Sequence, residues 1–255
     1  MRIALGVEYN GSGYSGWQSQ PGGCTVQDNI QQAISHIACE PVSIIAAGRT
    51  DAGVHALEQV IHFETTTERQ LSAWVRGVNA LLPPTITILW AHSVADEFHA
   101  RFSARARSYQ YILINRSTRS AVHHGNVGWF HLPLDVEAMR EAAGYLLGVH
   151  DFSSFRAAEC QAKSPVKNLT QLDVNRHGDT IIFDLTADAF LHHMVRNIVG
   201  CLVTIGKGKQ APVWLQEVLQ ARQRRVAAAT FAPDGLYLRR IKYDAEWGLP
   251  QQQLE

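Results

Sequence analysis

The chain is short of cysteine, has no surplus of either charge and contains no long apolar run, and each shortage removes a class of protein. Its four cysteines, Cys24, Cys39, Cys160 and Cys201, lie far apart with no C-x-x-C pair. That pattern supports neither a zinc ribbon nor a disulfide framework and leaves reduced, cytosolic thiols as the simplest expectation. Lys+Arg and Asp+Glu both number 23 among 255 residues, so a polyanion has to be held by a local patch rather than by global charge. No segment approaches the ~18 apolar residues of a membrane span, and the opening MRIALGVEYNGSG carries no visible address. There is no G-x-S-x-G elbow, no Walker loop and no short repeat, which removes support for serine hydrolases, P-loop enzymes and solenoids.

What is present is ordinary globular material, 46% apolar, with readable punctuation. Ile3–Tyr9 reads as a buried strand followed by a turn-rich loop with Gly11, Gly13, Gly16, Pro21, Gly22 and Gly23. Thr25 with Asp28 approximates a capping box, and Val26, Ile30, Ala33, Ile34 and Ile37 trace the apolar face of a helix ending by Pro41. Strands are expected over 42–47, 54–63 and 85–94, with a helix over 68–82 that stops at Pro83-Pro84. Beyond residue 100 the pattern predicts strands over 109–115, 169–176, 180–187 and 236–243. A hairpin turn is expected at His177-Gly178-Asp179, and helices over 135–147, 192–205 and 213–221. The expected class is α+β, with two similar halves, each a mainly antiparallel sheet covered by helices, divided into domains 1–100 and 101–255. The active site is expected in a basic cleft between the halves.

The most informative stretch is Ala47-Gly48-Arg49-Thr50-Asp51-Ala52-Gly53-Val54-His55-Ala56. It puts one carboxylate in a glycine-flanked loop joining two strands, where backbone can turn sharply and a bulky substrate can approach. Arg49 favours the ionised form of Asp51 and offers a planar fork to a phosphate. From Arg101 to Arg119 there are five arginines, Arg101, Arg105, Arg107, Arg116 and Arg119, and no acid, with Tyr109 and Tyr111 interleaved. Arginines neutralise phosphates while tyrosine stacks on an unpaired base. A second basic set comprises Lys207, Lys209, Arg222, Arg224 and Arg225, with Arg239, Arg240 and Lys242 further on.

Two tempting motifs fail on context. Gly11-Ser-Gly13-Tyr-Ser-Gly16 matches G-x-G-x-x-G, but Trp17 to Gly23 intervene before any helix, so no helix N-terminus is offered to a pyrophosphate. His192-His193 sit together in an expected helix, where neighbours point about 100° apart, and lack metal-ligand partners at i+4 spacing.

GRTDAGVHA, together with GYSGWQSQ, FHARFSARARSYQY, FLHHMVRNIVG and GLYL in that order along nearly the whole chain, resembles the tRNA pseudouridine synthase A family. The resemblance implies isomerisation of uridine at positions 38 to 40 of the tRNA anticodon stem-loop by a cytoplasmic homodimer, with neither metal nor organic cofactor. It assigns Asp51 as the essential carboxylate, Arg49 as the arginine beside it and Tyr109 as the ring packing on the target base. Leu236 falls at an apolar wall of the pocket, and Arg105 and Arg107 belong to the substrate-binding strip. Ser19 departs from the arginine common in the family's WQRQ-type segment. The competing class is a non-catalytic module that binds or remodels tRNA, which would use the same arginines without needing Asp51.

Overall fold

A computed structural model describes residues 1–250 and shows a mixed α+β fold of two compact units. The first begins with β1 (Arg2–Tyr9), α1 (Val26–Ala38), β2 (Ile44–Ala46), β3 (His55–Glu64), α2 (Leu71–Asn79) and β4 (Ile86–Val94). β1 pairs antiparallel with both β3 and β4, Leu5 facing Ile61 on one side and Ala91 on the other. This central place explains its unbroken apolar run, since Ile3 to Val7 are buried on both faces. α1 starts as its residues predict: the Thr25 hydroxyl oxygen accepts from the Asp28 N–H at 3.2 Å. α2 packs on α1 and β4, burying Trp74, whose ring meets Phe63 edge-on at 5.1 Å.

The second unit, Ala106–Tyr237, holds β5 (Ala106–Asn115), β6 (Gly128–Phe130), α3 (Val136–Gly144), β7 (Gly148–Asp151), β8 (Val166–His177), β9 (Thr180–Ala187), α4 (Met194–Gly206) and α5 (Trp214–Ala221). Its sheet runs β5-β9-β8-β7 with antiparallel pairing, and β6 adds to β5 in parallel. The β8–β9 hairpin turns through Gly178-Asp179, with Gly178 at φ +58°, as its residues predict. α4 is apolar nearly all round and almost wholly buried, which its sequence explains. β10 (Leu236–Lys242) then carries the chain back into the first unit, beside β3.

The division into 1–100 and 101–255 follows chain order, whereas the compact units change over at Arg105 and again at Tyr237. The partner of a C-terminal strand is a nonlocal choice that its own residues do not encode. β6 and β7 are also absent from the sequence-based expectation, being three and four residues long, too short for a period to register. One placement is corrected. His192 and His193 precede α4 rather than lying in it, His193 being its N-cap in the left-handed region at φ +61°.

The first unit holds a histidine that the fold keeps neutral. His62 on β3 is buried, and its Nδ1 accepts the Ala100 N–H at 3.1 Å. Burial, followed by the nearby His99 and Arg2, lowers its pKa to about 4. The unfolded chain therefore takes up a proton below pH 6.5 that the folded chain refuses until about 4, so stability contributed by neutral His62 is complete above 6.5 and falls across this window. We expect a loss on the order of 2 kcal/mol between pH 7 and 5 in calorimetric unfolding. His62→Asn should flatten that slope, and an unchanged slope in the variant would assign the pH response elsewhere.

Candidate active site

Asp51 sits in the loop between β2 and β3, and its neighbours are clamped one by one. The Gly48 carbonyl accepts from Gln59 Nε2 at 2.7 Å, and Gln59 is fully buried. The Thr50 hydroxyl shares a 2.7 Å hydrogen bond with the Tyr9 hydroxyl, and the Thr50 carbonyl accepts the Trp17 N–H at 3.0 Å. The Asp51 carbonyl accepts the Val54 N–H at 3.1 Å. This closes a tight turn with Gly53 at φ +78° in its third position, where a type II turn requires a positive φ. Of the two glycines flanking Asp51, only Gly53 adopts left-handed backbone; Gly48 does not, and a Cβ on it would meet nothing within 4 Å.

The glycine-rich loop after β1 acts through close packing on this same turn. A Cβ on Gly11 would stand 2.0 Å from the Val54 carbonyl oxygen. One on Gly16, which has φ +93°, would stand 2.9 Å from the Thr50 carbonyl oxygen and 3.2 Å from the Asp51 carbonyl carbon. The two loops are further joined by His55, whose buried Nδ1 accepts the Gly11 N–H at 3.1 Å. Gly11–Gly13 form a single turn of 3-10 helix and α1 begins only at Val26, so the G-x-G-x-x-G match serves packing rather than a dinucleotide. Tyr9, Trp17, Thr50, His55 and Gln59 thus belong to the site's support, a role that the sequence motifs assign to none of them. For Tyr9, His55 and Gln59 the signal was a polar or aromatic side chain inside an otherwise apolar strand, whereas Trp17 and Thr50 lie in loops.

Asp51 is half-buried and Arg49 is exposed, with no hydrogen bond or ion pair for Arg49 among the described residues. Arg105, also in the first unit, donates from Nε to the Asp244 carboxylate at 2.7 Å and pairs with it again at 2.6 Å. That hydrogen bond and the attraction of Asp244 push the Arg105 pKa above its usual value. Half of its fork is therefore engaged by an acid from beyond β10. Ser19, where the family arginine is absent, is exposed and its N–H donates to Gln27 Oε1 at 3.1 Å.

The other predicted residues lie in the second unit. Tyr109 on β5 is half-buried, its ring edge-on to Phe190 at 5.0 Å. Arg107 donates from Nη1 to the Asp188 carbonyl at 2.9 Å. Leu236 is buried at the start of β10. The second basic set is partly spent on structure. Arg224 donates to the Ala228 carbonyl at 2.8 Å and to Asn197 Oδ1 and Thr230 Oγ1 at 3.0 Å each. Arg222 lies 3.7 Å from Asp151.

Tyr109 and Tyr111 alternate onto one face of β5, yet their environments differ. Tyr111 is fully buried, donates its hydroxyl to the Ala232 carbonyl at 2.9 Å and packs edge-on against Phe183 and Phe231. Burial pushes its hydroxyl pKa well up. Tyr111→Leu should therefore cost about 3 kcal/mol of stability through lost packing and an orphaned carbonyl. Tyr109→Leu should leave the melting temperature nearly unchanged and, by the base-stacking role that the resemblance implies, lower activity about ten-fold or more. Parallel thermal melts and activity assays separate the two, and equal loss of activity at equal stability would remove the role assigned to Tyr109.

A family model described as tRNA pseudouridine synthase matches residues 6–103 and 142–244. A tRNA pseudouridine synthase A from Chromobacterium violaceum is 59% identical, over 99% of this chain and 97% of its own. The proteins of that name from Methylobacillus flagellatus and Dechloromonas aromatica are 58% and 57% identical, each over 98% of this chain and 96% and 95% of their own. With the family match spanning most of its length and these relatives matching it nearly end to end, the chain belongs to the tRNA pseudouridine synthase family.

Proposed function

We propose that this chain isomerises uridine to pseudouridine at positions 38, 39 and 40 of the anticodon stem-loop of tRNA, with Asp51 as the essential carboxylate. The observation that carries this reading is the clamped turn at Thr50–Val54, which fixes the main chain around one carboxylate in a family whose reaction needs one. The rearrangement breaks the bond between N1 and C1′, joins C5 to C1′, releases the C5 proton and returns a proton to N1. It is redox-neutral and leaves the atom count unchanged, so it calls for no hydride carrier. Ionised Asp51 can start it by attacking C1′, by adding to C6, or by removing the C2′ proton to give a glycal.

A uridine within a stem has to leave the stack first, at a cost of a few kcal/mol. Arg49, exposed two residues before Asp51, is suited to hold the backbone phosphate of the extruded nucleotide. Tyr109 stacks on the base, Leu236 walls the pocket, and Arg105 and Arg107 hold flanking phosphates. The reading extends to a homodimer working in the cytoplasm. No helix among the described residues is long and apolar enough to cross a membrane.

Incubating the protein with an unmodified tRNA transcript carrying uridine at 38, 39 or 40, then mapping pseudouridine by chemical adduct formation and primer extension, tests the proposal. Stoichiometric modification at these positions is expected. Tight binding without product would instead establish the non-catalytic binding module. Light scattering decides the assembly.

A further inference from the structure

The loop His99–Ser103 in the first unit presents Phe102 with 75% of its surface exposed. A single exposed apolar side chain is ordinary; an exposed aromatic ring held rigidly is not. The Arg101 and Phe102 N–H groups both donate to His99 Nδ1, at 3.2 and 3.3 Å. The His99 N–H donates to Ser103 Oγ at 3.0 Å, and the Ser103 N–H returns to the His99 carbonyl at 2.9 Å. Ala100 is fixed from both ends, its N–H given to His62 and its carbonyl accepting the Tyr243 hydroxyl at 2.6 Å. On this scaffold the Phe102 ring stacks on the His99 imidazole at 4.3 Å and 29°. His99 in turn lies edge-on to buried His62 at 4.9 Å.

The electrostatics beside the ring are cationic. The Arg101 guanidinium stands 5.7 Å from the Phe102 centroid. Burial, and then the positive charges of Arg2 and Arg101, hold the His99 pKa below its usual value, in keeping with a ring nitrogen that accepts two N–H groups. A preordered aromatic face next to a guanidinium suits one chemistry well: a flat base for the ring and a phosphate for the cation. An acidic peptide meets only the second requirement, because its carboxylates offer charge without a flat π face.

We propose that Phe102, stacked on His99 and flanked by Arg101, is a second nucleotide platform that takes an unpaired base of the RNA substrate other than the reacting uridine. The proposal rests on the tRNA-modifying function above. Preordering means that little side-chain entropy is lost when a base lands on the ring.

Equilibrium binding of an unmodified tRNA transcript to wild type, Phe102→Ala, Phe102→Trp and Arg101→Gln tests it. Phe102→Ala should weaken binding about 5- to 150-fold, the range for one stacked base, with the loss appearing in Kd and KM more than in kcat. Phe102→Trp should restore binding to within a few-fold of wild type. Arg101→Gln should lower the salt slope of binding by about one unit while Phe102→Ala leaves it unchanged. Wild-type affinity in Phe102→Ala overturns the platform, as does a Phe102→Ala variant whose oligomeric state shifts by light scattering while its Kd for tRNA holds. Failure of wild type itself to bind the transcript overturns the underlying RNA reading as well, which separates the two failures.

Discussion

Asp51→Asn is expected to bind unmodified tRNA within about two-fold of wild type while pseudouridine formation falls by about 10³-fold or more. The carboxamide has nearly the volume of the carboxylate, and Asp51 is half-buried, so packing changes little. The hydrogen bonds made by the Thr50 and Asp51 carbonyls are main-chain bonds, the Asp51 carbonyl accepting the Val54 N–H and the Thr50 carbonyl accepting the Trp17 N–H. Both survive the substitution. What is lost is the anionic oxygen that the proposed reaction requires, whether for attack at C1′, addition at C6 or removal of the C2′ proton. Filter binding, thermal melting and single-turnover formation of pseudouridine read the three consequences separately. Turnover at the wild-type rate in Asp51→Asn would remove the carboxylate from the reaction under every route.

The second large effect is expected at a glycine that packs on the main chain of the turn carrying Asp51. Gly11→Ala places a methyl 2.0 Å from the Val54 carbonyl oxygen and 2.7 Å from its carbon, a separation no side-chain rotation can relieve because both groups are main chain. Either the glycine-rich loop withdraws or the turn carrying Asp51 shifts. Overpacking of this kind typically costs 1–3 kcal/mol. A displacement of about 1 Å at a catalytic group is enough to cost on the order of 10²-fold in rate. Gly13→Ala is the internal comparison, since it makes the same chemical change in the same three-residue helix where a Cβ meets nothing within 4 Å. We expect Gly11→Ala to lose about two orders of magnitude in kcat and Gly13→Ala to stay within about three-fold. Equal behaviour of the two variants would show that the contact with Val54 does not hold the Asp51 turn in place.

Both predictions depend on a division visible throughout the molecule. Features that a few consecutive residues specify were legible in the sequence. Thr25 and Asp28 announced the start of α1, Gly178-Asp179 announced the β8–β9 turn, and β9 occupies the predicted Thr180–Ala187. GRTDAGVHA announced a sharp turn around one carboxylate, and Gly53 at φ +78° meets that demand. Caps and turns are local because their hydrogen bonds close within three or four residues.

Tertiary structure alone decided which side chains remained available. Tyr109 and Tyr111 are indistinguishable by alternation, yet one is half-buried and the other is sealed in the core with its hydroxyl committed to Ala232. Arg105 and Arg224 look like members of basic patches, but Asp244 and Asn197 engage them from distant parts of the chain. The glycines at 11 and 16 read as turn formers and prove to be contact points for the Asp51 turn. β10 returns to the first unit for the same kind of reason. Burial, ion pairing and close approach are properties of residues brought together across long separations, and no local pattern encodes the partner.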